Sequence, residues 1–407
     1  MKICSEELCT GCQLCQNVCG KNAISFVEDE RGFIHPLIDE DLCIQCGKCI
    51  RSCPINIEYS HEKEPLKVYA AWVKNSNIKK RSTSGGLFYE LASKILIQGG
   101  VVFGACFDGC KVVHSYCDSI DELSKFQGSK YVQSKIGDSY KHVKSFLKSG
   151  KYVLFSGTPC QNAALLSYLG KIDDKKLFLV DIVCHGVPNQ NVFDNYIHEL
   201  SILNKSLINS VRFRVKTPDC CHSSMAYNFS NGKKQIVSFA YDDFYQLFVS
   251  NYLIRESCFS CKFANTSRVS DITLADFWGY SPSSFKFRNY MKGVNMVMIN
   301  TDKGNLLFEE VKGNLVFEER NIAEAIKGNR NLSQPQLKPH DYEAFWFSYS
   351  SEKSIIKLSN KFIPNKQTYP PAFKRYLKTY LMTCFPKGFG KVISLCIHFV
   401  KRILFKK

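Results

Sequence analysis

Several things are missing from this 407-residue chain, and each absence excludes a class. No run of 18 apolar residues occurs, so no membrane-spanning helix is expected. The opening MKICSEELCT is too polar for a secretory signal, and the expectation is a cytoplasmic protein. Neither a GxGxxG fingerprint nor a GxxxxGK loop followed by Ser or Thr is present, which disfavours a standard Rossmann dinucleotide site and nucleoside-triphosphate hydrolysis. No Ser/His/Asp or paired-carboxylate arrangement can be argued, and low-complexity segments are absent. Acidic residues vanish from the tail: residues 353–407 hold 13 bases and no acid.

Cysteine, by contrast, is abundant, at 20 residues. Eight of them repeat one spacing twice: Cys9, Cys12, Cys15, Cys19, and then Cys43, Cys46, Cys49, Cys53. C-x2-C-x2-C-x3-C is the run that wraps a 4Fe–4S cluster, with the fourth cysteine crossing to the neighbouring cluster. Cys9, Cys12, Cys15 and Cys53 are therefore assigned to one cluster, and Cys43, Cys46, Cys49 and Cys19 to the other. Structural zinc usually wants two CxxC pairs a dozen or more residues apart, and disulfides do not need a double period. Pro54 follows the second run as expected, whereas Gly20 stands in its place after the first. Residues 1–60 are read as a two-cluster ferredoxin domain, and twenty cysteines in an unexported chain point to reduced thiols and metal.

The formal charge of +17 hides two opposed regions. Residues 1–64 hold 11 acids against 6 bases, a net of −5, opposite in sign to the tail. Each cubane held by four thiolates also carries about −2 when oxidised. From Leu66 onward, short apolar runs alternate with helical stretches, an α/β pattern. Strands are expected at LKVYAAWV, VVFGACF, KYVLFSG, LFLVDIVC and ITLADFW, with helices after Gly86, Pro159 and Pro188. Ser119 with Glu122 predicts a capping box over a short helix, and Asn231-Gly232 predicts a hairpin that would make the sheet mixed.

Three turns lie where an α/β sheet places ligands, just past strand ends. They are Ser82-Thr83-Ser84-Gly85-Gly86, preceded by Lys79, Lys80 and Arg81; Gln127-Gly128-Ser129-Lys130-Tyr131; and Ser156-Gly157-Thr158-Pro159-Cys160. Backbone N–H groups at a helix start suit a pyrophosphate, although each turn alone also reads as an ordinary helix cap. Cys160 and Cys184 each end an apolar strand, and Cys258 and Cys261 form a CxxC, so these four could hold a third cluster. Buried single cysteines also behave as small hydrophobes, and Cys4, Cys106, Cys110, Cys117, Cys220 and Cys221 compete for the role.

STSGG, QGSKYVQS, SGTPCQ, CHGVP, CxxCKF and DITLADFWG, in that order behind a ferredoxin module, resemble the coenzyme F-420 hydrogenase/dehydrogenase beta-subunit family over roughly residues 1–340. The resemblance implies FAD, a further 4Fe–4S cluster, and electron exchange with a two-electron organic acceptor, a deazaflavin coenzyme in archaeal members. It implies Cys160, Cys184, Cys258 and Cys261 as third-cluster ligands. It also implies Ser84, Gly85, Gly86, Gly128, Ser129 and Lys130 as flavin contacts. His185 and Asp276 become weak candidates for the flavin or substrate pocket, with a neighbour-supporting histidine and a capping carboxylate as the plain alternatives.

The expected architecture is thus α+β or α/β: the ferredoxin domain at 1–60, a mixed-sheet flavin- and iron–sulfur-binding domain at 61–345, and a basic, partly helical extension at 346–407. GKVISLCIHFVKRILFKK sets apolar residues at helical spacing among Lys and Arg, suiting peripheral contact with an anionic inner membrane face or packing on the body. No nucleic acid is expected. The functional expectation is an oxidoreductase moving electrons between 4Fe–4S clusters and an organic acceptor through FAD. Oxidation or reduction of the deazaflavin itself, and a non-catalytic relay subunit, are the alternatives. An electron-carrier protein is expected at the acidic N-terminal domain.

Overall fold

Both cysteine runs curl through backbone held in the left-handed region. Gly11 and Gln13 have φ of +62° and +59°, while Gln45 and Gly47 have +52° and +69°. These are equivalent positions of the repeat, with glycine and glutamine exchanged, so the two halves share one backbone path. Short helices follow, Leu14–Val18 and Lys48–Ser52, and between them β1 (Ile24–Glu28) pairs antiparallel with β2 (Ile34–Ile38). The computed structural model describes residues 2–59, 64–170, 175–217, 220–284, 286–287 and 293–363. The amphipathic helix expected near the C-terminus lies outside them.

The remaining strands are β3 (Lys67–Val73), β4 (Val101–Asp108), β5 (Lys111–Cys117), β6 (Val153–Gly157), β7 (Leu177–Ile182), β8 (Ile208–Thr217), β9 (Cys220–Phe229), β10 (Lys234–Ser238), β11 (Ile272–Asp276), β12 (Asn295–Ile299) and β13 (Leu315–Arg320). Eight of them form one mixed sheet in the order β13-β3-β12-β11-β7-β6-β4-β5. At its centre β4, β6, β7 and β11 run parallel, and their almost unbroken apolar sequences are what burial on both faces requires. The helix at Leu87–Ile97 packs on one face with Tyr69, Leu154 and Val297, and the helix at Pro159–Leu169 on the other with Phe103 and Phe155. A separate antiparallel sheet holds β10-β9-β8. Its β9–β10 hairpin turns at Asn231-Gly232, where Gly232 has φ +83°, so the expected hairpin is present but belongs to this second sheet.

The sequence expectation fails at Ser119 and Glu122. A 3-10 turn runs over Asp121–Phe126 with Ile120 at its cap position and no side-chain cap, and Glu122 instead takes Lys125 at 2.6 Å. The capping box forms elsewhere, at Thr158, whose backbone N–H donates to the Gln161 side-chain oxygen at 3.0 Å.

The cysteine-rich unit shares its core with the large sheet. Ile3, Leu14, Val18 and Ile24 pack in one cluster with Val101, Phe103 and Leu179. Polar staples complete the join. The Gln13 side-chain oxygen accepts from the N–H groups of Ile136 and Gly137, the Tyr140 hydroxyl donates to Cys12 O at 3.1 Å, and Ser167 donates to Ser52 O at 2.7 Å. On the other side, helices Tyr342–Glu352 and Ile355–Phe362 pack against β8, β9 and Phe33, so the folded body runs through residue 362. Among the described residues no helix is long and apolar enough to cross a membrane.

Candidate functional site

The fold sorts the eight N-terminal cysteines as the crossed pattern requires. Cys9, Cys12, Cys15 and Cys53 line one cavity together with Cys4, Pro36 and Pro54. Burial pushes the Cys12 thiol up to about 12, and Cys160, Cys9 and Cys53 add to the rise against a bond from the Leu14 N–H. Burial likewise raises Cys15, with Cys12, Cys9 and Cys53 as its thiol neighbours. Cys49 answers to a different set: burial raises it first, then Cys46 and Cys19. Ala23 N–H donates to the Cys19 sulfur at 3.3 Å, and Cys46 is exposed. The Cys9 group is therefore the inner one, against the large domain, and the Cys46 group faces solvent.

A third gathering of thiols stands at the carboxyl rim of the sheet. β6 and β7 are neighbouring parallel strands, so Cys160, just past the end of β6, and Cys184, just past the end of β7, reach the same rim. The turn Glu256–Cys258 brings Cys258 and Cys261 to them. Burial raises Cys160 to about 11 and Cys261 adds to it. Burial raises Cys184, which also feels Cys258, Cys160 and Cys261, and burial raises Cys258 to about 12 beside Cys261 and Cys160. Four buried thiols this close resist ionising together, and thiolate binding to iron supplies the positive charge they need. Among the described residues no three His, Cys, Asp or Glu side chains already stand as a closed metal-binding group. Of the competing cysteines, Cys106 and Cys117 are buried in the sheet core and Cys110 packs beside Ile208, whereas Cys4 lies on the inner-group cavity.

Two of the glycine-rich turns meet. Thr83 Oγ1 accepts from Ser129 N–H at 2.8 Å, and Gln127 donates to Ser82 Oγ at 3.2 Å. The flavin candidates then divide. Gly128, Ser129 and Lys130 line a cavity of about 410 Å3 with Arg81, Lys125 and Arg212, and Gly128 has φ +88° with open space where a Cβ would stand. Ser84, Gly85 and Gly86 do not line it. A Cβ on Gly85 would stand 2.5 Å from Ala71 O, one on Gly86 3.0 Å from Val73, and Ser84 is buried with its hydroxyl on Val294 O. These residues let the start of the 87–97 helix press on β3 and β12. The cavity's cations and open turn fit an anionic nucleotide. Burial lowers Lys130 to about 8, with Cys106 acting against the shift and Arg212 adding to it.

An aromatic bank joins the two sites. Phe213 lines the cavity and stands 5.4 Å from Tyr131; Tyr131 stands 4.9 Å from Phe248, and Phe248 stands 4.8 Å from His185, next to Cys184. His185 has both ring nitrogens engaged, by Phe248 O at 3.3 Å and Gln336 at 2.9 Å. Asp276 ends β11 and is paired with Arg214, whose φ of +55° lies in the left-handed region that only a strongly determined site retains. Arg214 also sits over Trp278 at 5.7 Å. No spacing rule in the sequence points to Arg214, because it lies in a β-bulge far from Asp276 along the chain.

Comparison with known proteins agrees with this arrangement. Residues 150–325 match the family model for the C terminus of the coenzyme F420 hydrogenase/dehydrogenase beta subunit, and residues 8–57 and 35–82 each match a 4Fe-4S dicluster domain. The ferredoxin-type protein NapF of Haemophilus influenzae is 42% identical over 45 residues, 11% of this chain and 26% of that protein, so the chain spans about a quarter of that relative's length. A xenon-derivatised structure of the F420-reducing NiFe hydrogenase complex from Methanosarcina barkeri superposes with a TM-score of 0.44 at 18% identity, over 77% of this chain and 96% of that one.

Proposed function

The chain belongs to the coenzyme F420 hydrogenase/dehydrogenase beta-subunit family, with an iron–sulfur dicluster domain at its N-terminus, and from that premise we propose that it passes electrons between three 4Fe–4S clusters and a two-electron organic acceptor through FAD. The observation that carries this reading is the nearness of Cys12 to Cys160, which puts the inner thiol group against the third one. With Cys46 exposed at one end and the basic cavity at the other, the cysteines form a succession from surface to pocket. FAD, when bound, joins one-electron to two-electron chemistry.

The chain's own groups supply position and charge. Lys125, Lys130, Arg81 and Arg212 hold a pyrophosphate, and the Thr83–Ser129 bond keeps the Gly128 turn in place. The aromatic bank excludes water between Cys184 and the cavity. The Asp276–Arg214 pair neutralises a carboxylate at the rim, so Asp276 acts as a positioning group and not as a base. Anaerobically purified protein should release FAD on denaturation and reduce or oxidise an organic acceptor with a one-electron donor. Full iron loading without flavin and without turnover would instead make the chain a relay subunit.

A further inference from the structure

One loop carries two cations that reach across to the N-terminal unit, and neither is used by the proposed flavin chemistry. The loop runs Arg255-Glu256-Ser257-Cys258-Phe259-Ser260-Cys261-Lys262, so a cation stands at each end of the third group's CxxC. The Arg255 side chain is fully enclosed, with the whole residue 2% exposed. Its Nε donates to Cys9 O at 2.6 Å, its Nη2 to Ile34 O at 2.5 Å, and its guanidinium lies over Phe33 at 5.4 Å. Gly11 is required for this approach, since a Cβ there would stand 3.0 Å from Arg255 Nη1 and 2.7 Å from Gln133 Nε2. The Lys262 ammonium donates to Pro54 O at 3.2 Å, Ile55 O at 2.9 Å and Ile57 O at 2.5 Å, and lies over Tyr59 at 5.1 Å. Arg255 therefore holds the carbonyl of the first inner cysteine, and Lys262 holds the chain that leaves the last one, Cys53.

Adding an electron to a cluster adds a negative charge. Burial disfavours that charge and fixed cations favour it, more strongly away from solvent. The outer group has a cation too, Arg51, which donates to Cys46 O at 3.0 Å, but Arg51 is exposed and its field is screened by water and salt. We infer that Arg255 and Lys262 form a cationic clamp that raises the reduction potential of the inner cluster relative to the outer one, so that an electron arriving at Cys46's side is drawn inward toward the CxxC that carries the clamp. The inference rests on the crossed grouping of Cys9, Cys12, Cys15 and Cys53, but on neither FAD nor the third cluster.

The test is an EPR-monitored redox titration of the full chain with its clusters loaded. Lys262→Gln keeps amide donors for the carbonyls and removes the charge; Lys262→Arg keeps the charge. The expected result is a negative shift of the inner-cluster midpoint in Lys262→Gln, equivalent to about tenfold in the electron-sharing equilibrium between the two clusters, about 59 mV for one electron. The outer midpoint stays put, and Lys262→Arg restores the parent value. An unchanged inner midpoint in Lys262→Gln, or equal shifts of both clusters, overturns the clamp. Should Lys262→Gln fail to hold iron, Arg255→Lys decides, because it withdraws the charge from Cys9 O without removing it: a negative inner shift supports the clamp and none overturns it. The midpoints are read without flavin or acceptor, so a missing flavin would sink the proposed chemistry while leaving this result standing.

Discussion

Lys130 carries a pH signature that separates binding from folding. Burial lowers its folded-state pKa to about 8 from the ordinary 10.5, so the unfolded chain holds that proton more tightly. Between those values stability rises with pH, and the lysine's penalty is fully present below about 8. Phosphate binding needs the ammonium, so it moves the other way. ADP affinity, measured calorimetrically, should fall as pH rises through about 8 in the parent protein and stay flatter in Lys130→Arg. Lys130→Met should weaken ADP about tenfold at neutral pH, about 1.4 kcal/mol. Cys4 offers a second residue-level check. It touches the inner cavity but lies outside the repeated spacing, so Cys4→Ser should keep both N-terminal EPR signals. Cys53→Ser should perturb the same signal as Cys9→Ser, not that of Cys43→Ser. The cysteines were legible because cluster ligation demands a spacing. Arg255 and Lys262 were not, because they bond carbonyls 246 and more than 200 residues away, and a carbonyl leaves no mark in the sequence.

The elements were legible to the extent that burial on both faces writes itself as apolar runs. All five expected strands, at 66–73, 101–107, 151–157, 177–184 and 272–278, fall on strands of the large sheet. β12 and β13 were not anticipated; they close one side of the sheet by long-range antiparallel pairing, and nothing in their local sequence names β3 as the partner. The first glycine turn shows how one motif supports two readings. Its glycines answer to packing, and Gly85→Ala should lower stability by about 1–3 kcal/mol whatever ligand is present, seen as a drop in Tm. Thr83→Val removes the acceptor that pins the Gly128 turn. It should weaken flavin retention by more than it lowers Tm, and a Tm loss as large as that of Gly85→Ala with unchanged flavin content would give that turn a purely structural role.

At the scale of the whole molecule, the acidic cysteine-rich unit is docked by buried polar staples and a shared core, so its inner thiols keep a fixed position against Cys160. That docking makes the electron path a property of one folded body. The order of the three thiol groups was legible only in part, because spacing identifies a ligand set but not which set faces inward. Iron stoichiometry tests the central claim most directly. Fully loaded parent protein should hold about twelve irons per chain, and Cys258→Ser with Cys261→Ser should hold about eight while keeping both N-terminal EPR signals. A fully loaded parent with about eight irons, unchanged in the double variant, would contradict the third cluster and with it the continuous path to the cavity.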